Sequence, residues 1–127
     1  RTGSDSIVGG LTALAYYAIT EQVPSQTWVM VPNSNRGTYP KNYRILRTKH
    51  DPKIEINDHG TWRIVTIERA IVEAFAYATK IGYQTALAAA RTSIAEEKTT
   101  EDKLYRAAKD LGLWPLMTKY WEAIIAK

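Results

Sequence analysis

Within residues 61–80, TWRIVTIERAIVEAFAYATK, the spacing of apolar positions changes once and sharply. Trp62, Ile64 and Thr66 alternate with Arg63 and Val65, the period of a strand with one buried face. From Ile67 onward the apolar residues are Ile67, Ala70, Ile71, Ala74, Phe75 and Ala78, which form a single stripe on a helix. A strand therefore runs straight into a helix at Thr66. The Thr66 hydroxyl is placed to cap that helix, and Glu68 sets a negative charge against the positive end of its dipole.

The same pattern organises the rest of the chain. Ile7, Leu11, Leu14, Ala15, Ala18 and Ile19 predict a helix over residues 7–19, capped by Asp5 or Ser6, with Gly9 and Gly10 each weakening its first turn by roughly 1 kcal/mol. Residues 27–31 (TWVMV) read as a strand that Pro32 ends, because proline cannot donate to a sheet ladder. Residues 33–43 read as a loop or a wide hairpin connection, being rich in Asn, Ser, Gly and Pro. Residues 43–48 (YRILRT) make a second strand and 54–56 a short third. Asn57, Asp58, His59 and Gly60 then supply hairpin-turn chemistry leading into residues 62–66.

Beyond the central helix, Gly82 stops the chain and an alanine-rich helix follows over residues 84–94. Thr99 or Thr100 opens another, lined by Leu104, Ala107, Ala108 and Leu111 and ended by Gly112. Pro115 opens a last helix with Leu116, Met117, Tyr120, Trp121, Ile124 and Ile125 on one face. The fold expected is α+β in a single domain over residues 1–127. It comprises an N-terminal helix, a small mostly antiparallel sheet of three to four strands, and about four C-terminal helices.

At 127 residues and 45% hydrophobic the chain is long enough for a real core and typical of a globular protein. No apolar run approaches the roughly 18 to 20 residues that span a bilayer, so no membrane partner is expected. The absence of cysteine excludes a disulfide framework and thiolate metal sites, and fits a cytoplasmic location. The first residue is Arg1, not Met, so the chain reads as a fragment or a processed product.

The formal charge of +4 is unevenly distributed. Residues 33–53 hold the bases Arg36, Lys41, Arg44, Arg47, Lys49 and Lys53 against one acid, Asp51, whereas acids and bases nearly cancel elsewhere. Tyr39 and Tyr43 are interleaved with these cations, a combination that suits phosphates and stacked bases. Six phosphate contacts would give a salt slope of about −5 on duplex DNA. Acidic protein surface is nearly as suitable a partner as DNA, and the sequence does not separate the two. The candidate binding residues are thus Arg36, Lys41, Arg44, Arg47 and Lys49, with Arg63 extending them from a neighbouring strand.

Catalytic patterns are weak. His50 and His59 sit beside Asp51 and Asp58 in turn-like settings with no HxxxH or HExxH spacing, so no metal site is expected. No cysteine nucleophile or GxSxG elbow is present. Asp51, Lys53 and Glu55 lack the order of a nuclease core, and Glu68 and Glu73, not sharing a face, read as dipole compensation and solvated surface. No catalytic residue and no cofactor is therefore expected. A cryptic nuclease-like enzyme is one alternative, and a homo-oligomeric assembly module using Trp114, Tyr120 and Trp121 is another.

One resemblance spans most of these features. The string VTIERAIVEA is similar to the strand-to-helix signature in the C-terminal domain of AbiEi-type antitoxins, transcriptional regulators from bacterial abortive-infection toxin–antitoxin systems. GLTALAYYAITEQVP, from Gly10 to Pro24, resembles that domain's opening helix and turn, and TWVMVPNS its next strand. The basic strand, the NDHGTWRIVTIERAIVEA hairpin and helix, and the alanine-rich tail follow in order. The resemblance implies a phage-defence antitoxin that neutralises a nucleotidyltransferase-like toxin. It also implies support for promoter DNA binding through an N-terminal winged helix; no such pattern precedes residue 7, so that half is expected to be missing from this chain, or the chain departs from the family. No catalytic motif comes with it.

Overall fold

Described residues of this computed structural model are 7–32, 41–48, 54–60 and 62–126. The chain enters them as a strand, β1 (Ile7–Val8), and only then forms α1 (Gly10–Tyr16). The helix expected from residue 7 thus starts three residues later, and its cap position is Gly9, not Asp5 or Ser6. The reason lies in the glycine pair. The Gly9 backbone is extended and its N–H donates to the Trp28 carbonyl at 3.1 Å; a Cβ there would lie 2.6 Å from Met30 Sδ. Gly10 takes φ +54, and a Cβ on it would lie 2.5 Å from Trp28 Cε3. These glycines form the joint where the strand turns into a helix lying against its neighbour.

The other strands are β2 (Thr27–Pro32), β3 (Tyr43–Thr48), β4 (Ile56–Asp58) and β5 (Arg63–Val65), and the five form one sheet in the order β3-β2-β1-β5-β4. The pairs β1/β2 and β4/β5 are antiparallel, while β1/β5 and β2/β3 are parallel. A mixed five-stranded sheet therefore replaces the expected mostly antiparallel sheet of three to four strands. Two causes are visible. A two-residue strand is too short for alternation to register, and the link from Pro32 to Tyr43 is long enough to carry the chain back to the start of β2. The hairpin reading of that link is thus overturned, although residues 33–40 themselves lie outside the described part.

The hairpin of β4 and β5 forms, but its turn starts after Asp58, because Asn57 and Asp58, expected in the turn, are paired in β4. Asp58 pairs with Arg63, the His59 N–H donates to the Trp62 carbonyl, and Asp58 Oδ1 accepts from the Gly60 N–H at 2.8 Å. Strand β4 starts at Ile56 instead of Ile54, because Glu55 turns to φ +56 and its carbonyl accepts from the Thr66 N–H at 2.8 Å. Strand β5 is covered on both faces: Ile64 and Val65 are both fully buried, while Trp62 stays 39% exposed.

Thr66 caps α2 (Ile67–Ala76), its hydroxyl accepting from the Arg69 N–H at 3.2 Å. Every residue from Arg69 to Phe75 is buried, so this helix is enclosed on all sides and not along one stripe. Around it pack α1, α4 (Tyr83–Ala95), α5 (Glu101–Asp110) and α6 (Trp114–Met117). Each large aliphatic side chain buried there, such as Leu14, Ile71 or Leu104, contributes about 1.5–3 kcal/mol. On α4, Ala86, Ala89 and Ala90 are wholly buried, the small side chains that let helices approach closely.

The helical half also departs in number from the four helices expected. The central helix breaks at Tyr77, leaving α3 (Ala78–Ile81) as a separate turn before Gly82. The last segment divides into α6 and α7 (Trp121–Ile125). Between them Lys119 and Tyr120 donate to the carbonyls of Leu116 and Met117, a tighter i to i−3 winding that shifts the helix phase. That shift seats the Tyr120 ring on Phe75, with centroids 5.0 Å apart. Of the two candidate caps for α5 it is Thr100 that accepts from the Lys103 N–H, whereas Thr99 is buried.

Candidate partner-binding surface

Strand β3 runs alongside β2 in parallel register from Thr27↔Tyr43 to Pro32↔Thr48. The chain just before it is tied to the same neighbour, the Thr27 N–H donating to the Asn42 carbonyl and Gln26 Nε2 to the Lys41 carbonyl. Residues directly paired across strands share a face. Arg44 pairs with Trp28, on the face that meets the start of α1, and its guanidinium carbon lies 5.0 Å from the Trp28 ring centroid. This is cation–π distance. Arg47 pairs with Val31 and so lies on the opposite face.

Arg44, Arg47 and Lys41 are all exposed. Because β3 is the outermost strand among the described residues, the two arginines straddle its edge instead of forming one flat cationic patch. Arg63 stands on β5, which β1 and β2 separate from β3, and it is half-buried, so it does not extend this surface from an adjacent strand. Arg36 and Lys49 lie outside the described residues, as do His50, Asp51 and Lys53. At the far end of the edge the Tyr77 hydroxyl donates to the Arg47 carbonyl at 3.4 Å, longer than a good hydrogen bond.

A second exposed feature has no signature in the sequence. Tyr16, at the end of α1 and 55% exposed, meets Trp62 edge-on at 5.6 Å, and His59 stacks on Trp62 at 4.5 Å. Beneath them the Tyr17 hydroxyl donates to the Val65 carbonyl at 2.7 Å and accepts from Asn57 Nδ2 at 3.1 Å. Burial pushes the Tyr17 hydroxyl above its ordinary pKa of about 10, opposed by the Asn57 hydrogen bond and assisted by Tyr16 and Glu68.

A folded-state pKa above the unfolded one means that the native chain holds this proton more tightly. The associated stability is complete below pH 10 and is lost as pH rises through the folded value. Replacing Tyr17 with phenylalanine is expected to cost about 1 kcal/mol at neutral pH through the lost hydrogen bond. Denaturant unfolding from pH 8 upward should show the gap between the two proteins closing above pH 10. A constant gap would show that this hydroxyl is not held by burial.

The carboxylates differ most from the reading of the chain alone. Glu73 is 1% exposed and Arg69 0%; Arg69 Nε lies 3.1 Å from Glu73 Oε1, an ionic contact out of line for a good hydrogen bond, and Arg69 Nη1 donates to the Ile54 carbonyl at 2.7 Å. Glu68 accepts from the Thr99 hydroxyl at 2.6 Å, and Glu55 from that of Thr66 at 2.9 Å. Solvated surface is therefore not their role. The i,i+4 spacing of Arg69 and Glu73 was the available signal, hidden because both lie inside an apolar run. Among the described residues no group of three or more His, Cys, Asp or Glu side chains is placed to hold a metal ion.

Of the C-terminal aromatics, Tyr120 points inward against Phe75 and Tyr83. Trp114 packs between Tyr105 and Trp121, with ring centroids 4.7 and 5.1 Å away, and both tryptophans are half-buried. No helix among the described residues is long and apolar enough to cross a membrane. Compared with known proteins, no family model matches the chain, and no curated protein matches it.

Proposed function

We propose that the chain is a non-enzymatic binding domain, an antitoxin and transcriptional regulator of the abortive-infection type. In this reading it acts in the cytoplasm, neutralises a nucleotidyltransferase-like toxin, and supports promoter binding for autorepression alongside a winged helix. Two things support the reading: the order of sequence features that resembles AbiEi-type domains, and the exposed cations of β3. The single observation that carries it is the exposure of Arg44 and Arg47 on an outermost strand whose backbone is held rigidly by β2. A preorganised cationic strand binds an anionic partner without first ordering itself.

Reversing both charges, Arg44→Glu with Arg47→Glu, should abolish toxin neutralisation in a growth-rescue assay or retention on promoter DNA, while the circular dichroism spectrum stays unchanged. If DNA is the partner of this strand, removing either arginine also lowers the salt slope by about 1. A folded variant active in both assays would eliminate this surface and with it the proposal.

A further inference from the structure

Which anionic partner suits β3 follows from the placement of its charges. We propose that the outer edge of β3 takes an extended acidic segment of a partner protein as an added strand, with two acidic residues three positions apart. The proposal rests on the binding-domain reading above and names the partner's chemistry. Three features of the edge lead to it.

First, β3 is the terminal strand of the sheet, and among the described residues no strand pairs with its outer side. Along its six residues, Tyr43 to Thr48, the backbone is already set in register by β2, so an incoming strand meets a fixed row of donors and acceptors, in which the Arg47 carbonyl exchanges its 3.4 Å contact with the Tyr77 hydroxyl for a peptide N–H. Second, Arg44 and Arg47 are exposed on opposite faces, an odd number of residues apart. A strand lying alongside places one side chain beside Arg44 above the sheet and, three positions on, one beside Arg47 below it. Two acidic residues two positions apart would reach only one of the arginines. Third, a DNA duplex is a stiff rod. Laid against the sheet it meets the cation of one face and leaves the other behind, whereas an edge partner meets both.

The same charges decide against a second copy of the chain. Two β3 edges brought together set arginines near arginines, which is unfavourable across strands and is the usual way an edge is kept from self-pairing. An acidic strand reverses the sign of that interaction, so the edge rejects itself and accepts its complement.

The test uses the full chain and labelled nine-residue peptides of threonine and valine carrying two glutamates, either three or two positions apart, read by fluorescence anisotropy. The three-apart peptide should bind about fivefold more tightly, the effect of one extra cross-strand ion pair. Methylating alternate peptide amides should abolish binding, and amide exchange over residues 43–48 should slow in the complex. Arg47→Gln, which removes no ring contact, and Arg44→Gln should each weaken binding by about fivefold. Equal binding of both spacings, full binding by the methylated peptide, no binding by either, or displacement by an equally charged DNA duplex with no effect on residues 43–48 would overturn the proposal. Should the peptides fail while Arg44 and Arg47 are still needed for toxin neutralisation, strand addition is wrong and the binding-domain reading stands.

Discussion

Glu73→Ala should be among the most damaging single substitutions in this protein, costing about 3–5 kcal/mol in urea unfolding. The charge left behind is the cause. Arg69 is wholly buried, with Nη1 committed to the Ile54 carbonyl at 2.7 Å, and the substitution removes the carboxylate that lies 3.1 Å from its Nε. Removing both charges is a different experiment. Arg69→Met together with Glu73→Leu fills similar volume with apolar atoms and should recover most of the loss, as buried ion pairs replaced by well-packed hydrophobes commonly do. A single-variant cost below about 1 kcal/mol would mean that water reaches the pair. What the double variant should not recover is the tie between α2 and the start of the second hairpin, so residues 54–56 should exchange their amides faster even when global stability returns.

Gly10→Ala should come next, with an expected loss of about 2–5 kcal/mol. The left-handed backbone at φ +54 costs any residue with a Cβ about 1–2 kcal/mol, and forcing that carbon towards the Trp28 ring adds about 1–3 kcal/mol of overpacking. A thermal melt compared with Ala15→Gly, made on the same helix at a half-buried position, separates this cost from ordinary helix propensity. If the two variants melted together, the joint between β1 and α1 would not be the tight contact described.

What the chain alone disclosed was its local chemistry. Thr66 as a cap and the stops at Gly82 and Gly112 each depend on residues near in sequence and are found where the pattern places them, whereas the expected Asn57 to Gly60 turn falls later, Asn57 and Asp58 being paired in β4. The sheet was less legible, because its direction depends on where a long connection returns the chain, and nothing periodic encodes that. The pattern predicts helix at strand β1, since Ile7 fits the stripe of α1 and two residues carry no alternation to contradict it. At the candidate surface the exposed cations of residues 41–47 were visible as composition. Their division between the two faces needed the register with β2. The buried pair escaped for the opposite reason: ionisable residues inside an apolar helix are read by habit as outward-facing, and only the packing of three helices and α1 around α2 removes that option.

The brevity of β1 carries a mechanical consequence. Among the described residues the sheet is two ribbons, β3 with β2 and β5 with β4, stitched along a seam two residues wide, with Ile7 opposite Met30 and Val8 opposite both Val29 and Ile64. Tension on the chain at its amino-terminal side is therefore delivered to the middle of the sheet instead of its margin. Under load the ribbons should part before either unravels, and whatever is tethered upstream of Ile7 gains leverage over the spacing between the cationic strand and the hairpin.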